Sequence, residues 1–244
     1  MNIYETLKYF SNYRLSKMFN KLNKLNNLNK EDLLFIKIGN LFILNEININ
    51  NIISSYLYEN KDALYNFLSV FPKNKICMDL SSKYFSDTFD TNLNGLKKLN
   101  LSNSSIINLN GIKNILDLNL SYFYKLYDVS FLSNIHSLNL TGCLQIKDVS
   151  MLGNIYKLNL SYCLNVSDVS MLGNVYDLNL SSCYKINDVS MLGNVHTLNL
   201  NNCIGISDVS ALGNVENLDL SNCFNVSDVS MLENVDNLIF TRYA

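Results

Sequence analysis

The chain has 244 residues, 48% of them hydrophobic and 16% charged, which is enough apolar material for a sizeable core and excludes a disordered polyelectrolyte. Its formal net charge of −2 is unevenly spread: residues 1–76 carry ten Lys and Arg against six Asp and Glu, and residues 77–244 carry nine against fifteen. Nucleic-acid affinity needs clustered cations that release counterions, so the acidic larger part argues against a nucleic-acid partner.

The N-terminus, "MNIYETLKYFSNYRLSKMF", has no continuous apolar stretch of the kind that begins a secretory signal, and no run in the chain reaches the roughly 18–20 apolar residues of a membrane span. The expectation is a soluble, intracellular, cytoplasmic protein. In "LSKMFNKLNKL", Leu15, Met18, Phe19, Leu22 and Leu25 fall at helical spacing with Lys17, Lys21 and Lys24 on another face. That pattern predicts an amphipathic helix that caps a larger structure and keeps its lysines in water, in preference to a membrane-surface helix. Further helices are predicted over residues 31–37, 47–58 and 62–70, the last with Asn60 as N-cap. Pro72, the only proline, marks a boundary. Residues 1–75 are therefore expected to form an α-helical cap, and residues 76–244 a second domain.

Within the first part, "LNEININNIISSYLYENKDALYNFLSVFPKNK", Leu44 to Lys75, is similar to an F-box at Glu46, Ile47, Ile52, Ile53, Tyr56, Leu57, Asp62, Leu64, Leu68, Ser69 and Val70. Asn45 stands where the F-box pattern has proline, the spacing carries an extra residue, and the terminal tryptophan is missing. The resemblance implies that Ile47, Ile53, Leu57, Leu64 and Leu68 dock the F-box-binding linker subunit of a ubiquitin ligase. A generic pair of apolar helices gives much the same pattern.

From Met78 onward the sequence repeats. "DVSMLGNVYDLNLSSCYKIN", residues 168–187, is followed at once by "DVSMLGNVHTLNLNNCIGIS". In one unit the apolar positions are Ile155, Leu158, Leu160, Cys163, Val166, Val169 and Leu172, and they return every twenty residues. A paired L-x-L signature occurs nine times, at Met78/Leu80, Leu99/Leu101, Leu118/Leu120, Leu138/Leu140, Leu158/Leu160, Leu178/Leu180, Leu198/Leu200, Leu218/Leu220 and Leu238/Phe240. Each pair predicts one short strand. What remains of a twenty-residue period is too short for an ordinary helix, so the return is expected to be 3-10 or extended.

The pattern resembles the leucine-rich repeats. Its Cys position looks like the cysteine-containing class, and its "DVSxL" element looks like the convex side of internalin-type repeats. The resemblance implies an α/β solenoid, a right-handed horseshoe with parallel β-strands on the concave face, a 3-10 or extended convex side and an N-terminal helical cap. The clone-like units and asparagine-rich composition also look like leucine-rich repeat families of insect poxviruses and giant amoebal viruses. That likeness would place the protein in a host cytoplasm.

Several columns of the repeat carry polar or reactive residues. Cys143, Cys163, Cys183, Cys203 and Cys223 stack in parallel, so their side chains do not converge as a disulfide or a zinc site requires. They are expected to be reduced core residues, and no metal or other cofactor is expected. Asn100, Asn119, Asn139, Asn159, Asn179, Asn199 and Asp219 lie between the strand leucines and face outward. They are expected to hydrogen-bond from unit to unit, with Asn159, Asn179 and Asn199 also available to a partner. Asp128, Asp148, Asp168, Asp188, Asp208 and Asp228 precede the return turn, where a short carboxylate can hold backbone N–H groups.

Recognition is expected where the units differ. Flanking the strand starts are Leu116/Asp117, His136/Ser137, Tyr156/Lys157, Tyr176/Asp177, His196/Thr197 and Glu216/Asn217, and after the strands come Tyr122, Gly142, Tyr162, Ser182, Asn202 and Asn222. The expected surface therefore includes His136, Tyr156, Lys157, Tyr176, Asp177, His196, Tyr122 and Tyr162. Tyrosine is enriched in protein interfaces. No catalytic constellation is visible, because the two histidines are three units, or about 14 Å, apart.

Two readings of function follow. One is a non-enzymatic module that presents its repeats to a protein partner; the other is an adaptor that docks a ubiquitin-ligase scaffold through the N-terminal helices and binds substrate on the repeats. The final strand, Asn237 to Phe240, carries Ile239 at an edge and is expected to support weak self-association.

Overall fold

Between Leu160 and Leu178 every third side chain is buried: Leu160, Cys163, Val166, Val169, Leu172, Val175 and Leu178 are each no more than 2% exposed, and Leu180, two positions on, is fully buried. A step of two is the strand alternation, and a step of three is the period of 3-10 chain. One coil is thus a short strand closed by a return of tight turns. The turns are visible in the backbone: the N–H of Cys163 donates to the carbonyl of Leu160 at 3.0 Å, Val166 to Cys163 at 3.1 Å, Leu172 to Val169 at 2.9 Å and Val175 to Leu172 at 3.0 Å.

The computed structural model describes residues 47–49, 73–82, 93–104, 109, 112 and 114–242, and the chain divides into the units Met1–Asp79 and Leu80–Ala244. In the first unit, strand β1 (Ile47–Ile49) pairs in parallel with β2 (Ile76–Asp79), Ile47 opposite Ile76. A 3-10 turn, Lys73–Lys75, leads into β2. The helix expected from Ile47 is therefore corrected at its start. The Ile-Asn-Ile alternation and β-branched side chains suit a strand, and β2 supplies the partner. Ile53, Leu57, Leu64 and Leu68, and the lysine-flanked stripe at 15–25, lie outside the described residues.

In the second unit, β3 (Lys98–Asn100), β4 (Asp117–Asn119), β5 (Ser137–Asn139), β6 (Lys157–Asn159), β7 (Asp177–Asn179), β8 (Thr197–Asn199), β9 (Asn217–Asp219) and β10 (Asn237–Ile239) follow one another across a parallel sheet in chain order. From β4 on, equivalent residues of successive units pair directly, as Leu158 with Leu178 and Leu178 with Leu198. The return of each coil from β4 onward carries a 3-10 turn, from Ser130–Leu132 to Ser230–Leu232. All nine expected strands are present as β2 to β10. This is a leucine-rich repeat solenoid with a 3-10 return side.

The glycines of the "LGN" element do not serve as left-handed turn residues. Gly153, Gly173, Gly193 and Gly213 have φ between −64° and −62°, which any residue adopts. What they lack is room. A Cβ on Gly153, Gly173 or Gly193 would overlap the carbonyl oxygen of Met171, Met191 or Ala211 in the next coil. Glu233 holds the same place in the last described coil and is exposed. Gly173→Ala is expected to destabilise by about 1–3 kcal/mol through forced separation of coils, whereas Glu233→Ala should change stability by less than about 0.5 kcal/mol; chemical denaturation of the two variants checks this.

Beyond β10, Arg242 folds back so that its guanidinium donates to the Val226 carbonyl and lies 5.1 Å above the Phe240 ring. Ile239 remains half-exposed.

Candidate functional site

The outward side of each strand begins with scaffold. In every coil from β3 to β9 the Oδ1 of the central Asn, or of Asp219, accepts the backbone N–H two residues on, at 2.9–3.0 Å. These bonds run within each coil, not from unit to unit as expected: the N–H groups of Leu160 and Tyr162 donate to the next coil, and the one between them, on Ser161, is taken by the Asn159 side chain. The position requires an acceptor only, which is why Asp219 substitutes for Asn. Asn159, Asn179 and Asn199 are half-buried and hold the turn; they belong to the frame that supports a surface.

The next column lies at the exit of the turn. Tyr122, Tyr162, Ser182, Asn202 and Asn222 have φ of 58–60°, and Gly142 has φ 69°. Left-handed backbone suits Gly and Asn and costs other residues energy. Tyrosine at two of these positions is therefore not a choice of the backbone. A Cβ on Gly142 would strike the Tyr122 ring at 2.7 Å, so the ring lies across the glycine of the next coil, and its hydroxyphenyl group remains about half-exposed.

On the other side of the strands the variable residues form a single stack. His136 and Tyr156 have ring centroids 4.8 Å apart and planes 7° from parallel, Tyr156 and Tyr176 are 4.7 Å apart at 7°, and Tyr176 and His196 are 4.3 Å apart at 19°. The spacing is that of parallel strands, about 4.8 Å, so the register of β5 to β8 stacks the rings. Stacking also shields the Tyr176 phenol from water and, with Tyr156 beside it, pushes its pKa up. At the end of the stack His196 Nε2 lies 2.8 Å from Glu216, while its Nδ1 is 3.2 Å from the Thr197 hydroxyl.

The first residues of β3, β4, β6 and β7 are charged, and those of β6 and β7 lie beside the rings. Lys157 Nζ contacts Asp177 at 2.5 Å, and Lys98 contacts Asp117 at 3.5 Å. The structure therefore brings His136, Tyr156, Lys157, Tyr176, Asp177 and His196 into one patch and places Tyr122 and Tyr162 on the opposite margin of the strands. The sequence placed Glu216 among the variable positions flanking the strands but not on the narrower expected surface, and it did not anticipate the ring stack. The signal was there in the twenty-residue recurrence of aromatic residues at 136, 156, 176 and 196.

The two remaining columns are structural. Each thiol from Cys143 to Cys223 is fully buried and donates to the carbonyl of the second strand leucine of the preceding coil, Leu120 through Leu200, at 3.0–3.2 Å. Leu160 O, for example, accepts from Cys163 N–H and from the Cys183 thiol, using both lone pairs. Burial pushes Cys143 up to about 11 and Cys183 up to about 12, and raises Cys163, Cys203 and Cys223 as well. The thiols are thus poor nucleophiles. Asp128 through Asp228 each accept the N–H of the Ser two residues on, at 2.8–3.0 Å, and those bonds lower their pKa values. Among the described residues no group of His, Cys, Asp and Glu could hold a metal ion, and no helix is long and apolar enough to cross a membrane.

No family model matches the sequence, and no curated protein matches it. Among solved structures the chain is similar to internalin C2 of Listeria monocytogenes, with 31% identity, 63% of this chain and 74% of that one covered, and a TM-score of 0.48. It is also similar to an internalin, InlF, of the same organism, with 23% identity over 62% of this chain and 56% of that one and a TM-score of 0.45. A third is the functional domain of InlJ from L. monocytogenes, described as including a cysteine ladder, with 15% identity, 63% and 46% coverage and a TM-score of 0.33. The chain spans about half the length of the latter two.

Proposed function

We propose that the chain is a non-catalytic protein-interaction module, and that a protein partner is bound by the His136–Tyr156–Tyr176–His196 stack with the Lys157–Asp177 pair beside it and Tyr122 and Tyr162 across the strands. The observation that carries this reading is the stack itself. The leucine, cysteine, aspartate and asparagine columns repeat because the coil needs them, whereas the aromatic column varies from Leu116 to Glu216 and still places four rings in contact. Rings already ordered against one another lose little freedom on binding, so more of their contact energy remains for the partner. Tyrosine held in left-handed backbone at 122 and 162 points the same way, since strain persists where a side chain has a use.

The adaptor reading has less support. Its first docking residue, Ile47, lies in strand β1 where an F-box would have a helix.

Tyr156→Ser with Tyr176→Ser, in the full chain, is expected to weaken binding of the partner at least tenfold, because interface tyrosines of this kind are worth about 2 kcal/mol or more. Both positions are exposed, so the melting temperature should move little. Isothermal titration with the partner recovered by the unmodified chain reads the affinity; unchanged affinity would move the binding surface elsewhere.

A further inference from the structure

The return side of the coils carries an apolar row that the coil does not use. Met151, Met171, Met191 and Met231 stand at one position of successive 3-10 turns and are 56%, 61%, 60% and 62% exposed. Ala211 takes the same place in the turn Ser210–Leu212, which closes with the same geometry, so the thioethers are not needed to make the turn. Three residues before each stands an exposed aspartate of the column 128–228. Its role at the turn calls only for an oxygen acceptor, which Asn would supply without charge, yet all six positions are Asp. A row of like charges spaced by about 4.8 Å repels itself, and Lys147 is the one cation in the column beside it.

We propose that this ridge is a second docking surface, and that its occupant is a basic amphipathic helix of a partner protein. The methionines receive the apolar stripe, and the aspartates meet the flanking lysines or arginines. Methionine is flexible and polarizable, which suits it to helices of varied sequence. Four coil steps from Met151 to Met231 span about 19 Å, the length of about 13 residues of α-helix. The net excess of acidic residues in 77–244 favours a cationic occupant over an anionic lipid surface or a second copy of the same acidic row.

The test uses the full chain and two synthetic 18-residue helical peptides that share one leucine stripe, one carrying lysines and the other glutamates on the remaining positions. The lysine peptide is expected to bind at least tenfold more tightly than the glutamate peptide and to shift the methionine ε-methyl NMR signals of Met151, Met171 and Met191. Met151→Ala, Met171→Ala and Met191→Ala together should cost at least tenfold in affinity. Replacing the six aspartates by Asn, which keeps each turn acceptor, should erase the preference for lysine and the salt dependence. Tyr156→Ser with Tyr176→Ser should bind the peptide normally, which separates this surface from the aromatic stack. Equal binding of both peptides, full affinity in the alanine variant, or unmoved methionine signals would overturn the proposal. So would methionine shifts that appear on raising the protein concentration alone, which would assign the ridge to a second copy. If the alanine variant fails to fold, the methyl signals of the unmodified chain decide.

Discussion

Leu180→Ala is expected to lower the unfolding free energy by about 2–5 kcal/mol, the cost of a cavity in a packed core. Leu180 is fully buried in the middle of the stack, where the core of each coil packs on its two neighbours, so the cavity weakens both interfaces. Solenoid stability is a sum of such nearest-neighbour terms, which means that a central defect uncouples the coils on either side. The adjacent Asn179 behaves differently. Its side chain caps the turn through Ser181 N–H, so Asn179→Ala should cost about 1 kcal/mol, as lost caps do. Asn179→Asp should cost less than about 0.5 kcal/mol, since Asp219 already does the same work. Urea denaturation of the three variants gives the order; equal losses for Leu180→Ala and Asn179→Ala would mean that the strands face the other way.

The second large effect is alkaline unfolding. A thiol in the unfolded chain ionises near pH 8.5, roughly, while in the folded chain burial holds Cys143 to about 11 and Cys183 to about 12. The folded state therefore keeps protons that the unfolded state releases. The contribution of the column is complete below about pH 8.5 and is lost as pH rises toward the folded values. Five such groups act together, so the melting temperature should hold from pH 6 to 8 and fall steeply from about pH 9. Cys163→Ala with Cys203→Ala should lower stability at pH 7 through the cavities and flatten the alkaline slope. Equal slopes in the variant and the unmodified chain would show that the thiols are not shielded. The same burial should leave them unreactive toward a thiol reagent until the chain unfolds.

The architecture was legible because one coil states its whole core: the apolar positions from Ile155 to Leu172 recur at fixed spacing, and each of them is buried. That the return is not an ordinary helix followed from length alone, whereas the choice of 3-10 over extended chain did not. The helix expected from Ile47 was not a strand on its own evidence, because a short Ile-Asn-Ile segment fits either period until a partner such as Ile76–Met78 is in place. The reason for the LGN glycines was also hidden, since the atoms that exclude a Cβ belong to the next coil, twenty residues away. Columns of the candidate surface could be read from the repeat, but contact could not. His136, Tyr156, Tyr176 and His196 were four separate variable positions until the sheet register set their rings 4.3–4.8 Å apart. The asparagines misled for a related reason: a ladder of amides looks self-pairing, and only the backbone path after each strand shows that the nearer donor is the N–H two residues on.

The central claim, that the aromatic stack is the recognition surface, is tested most directly by site-specific photocrosslinking in cells that express the chain. Benzoylphenylalanine is placed in turn at Tyr156, Tyr176 and Tyr162, and at Ser167 and Asn187, which are exposed on the return side. The account predicts one discrete protein adduct from 156, 176 and 162, common to all three, and none of that mass from 167 or 187. An adduct formed only from the return-side positions, with 156 and 176 unreactive, would contradict it.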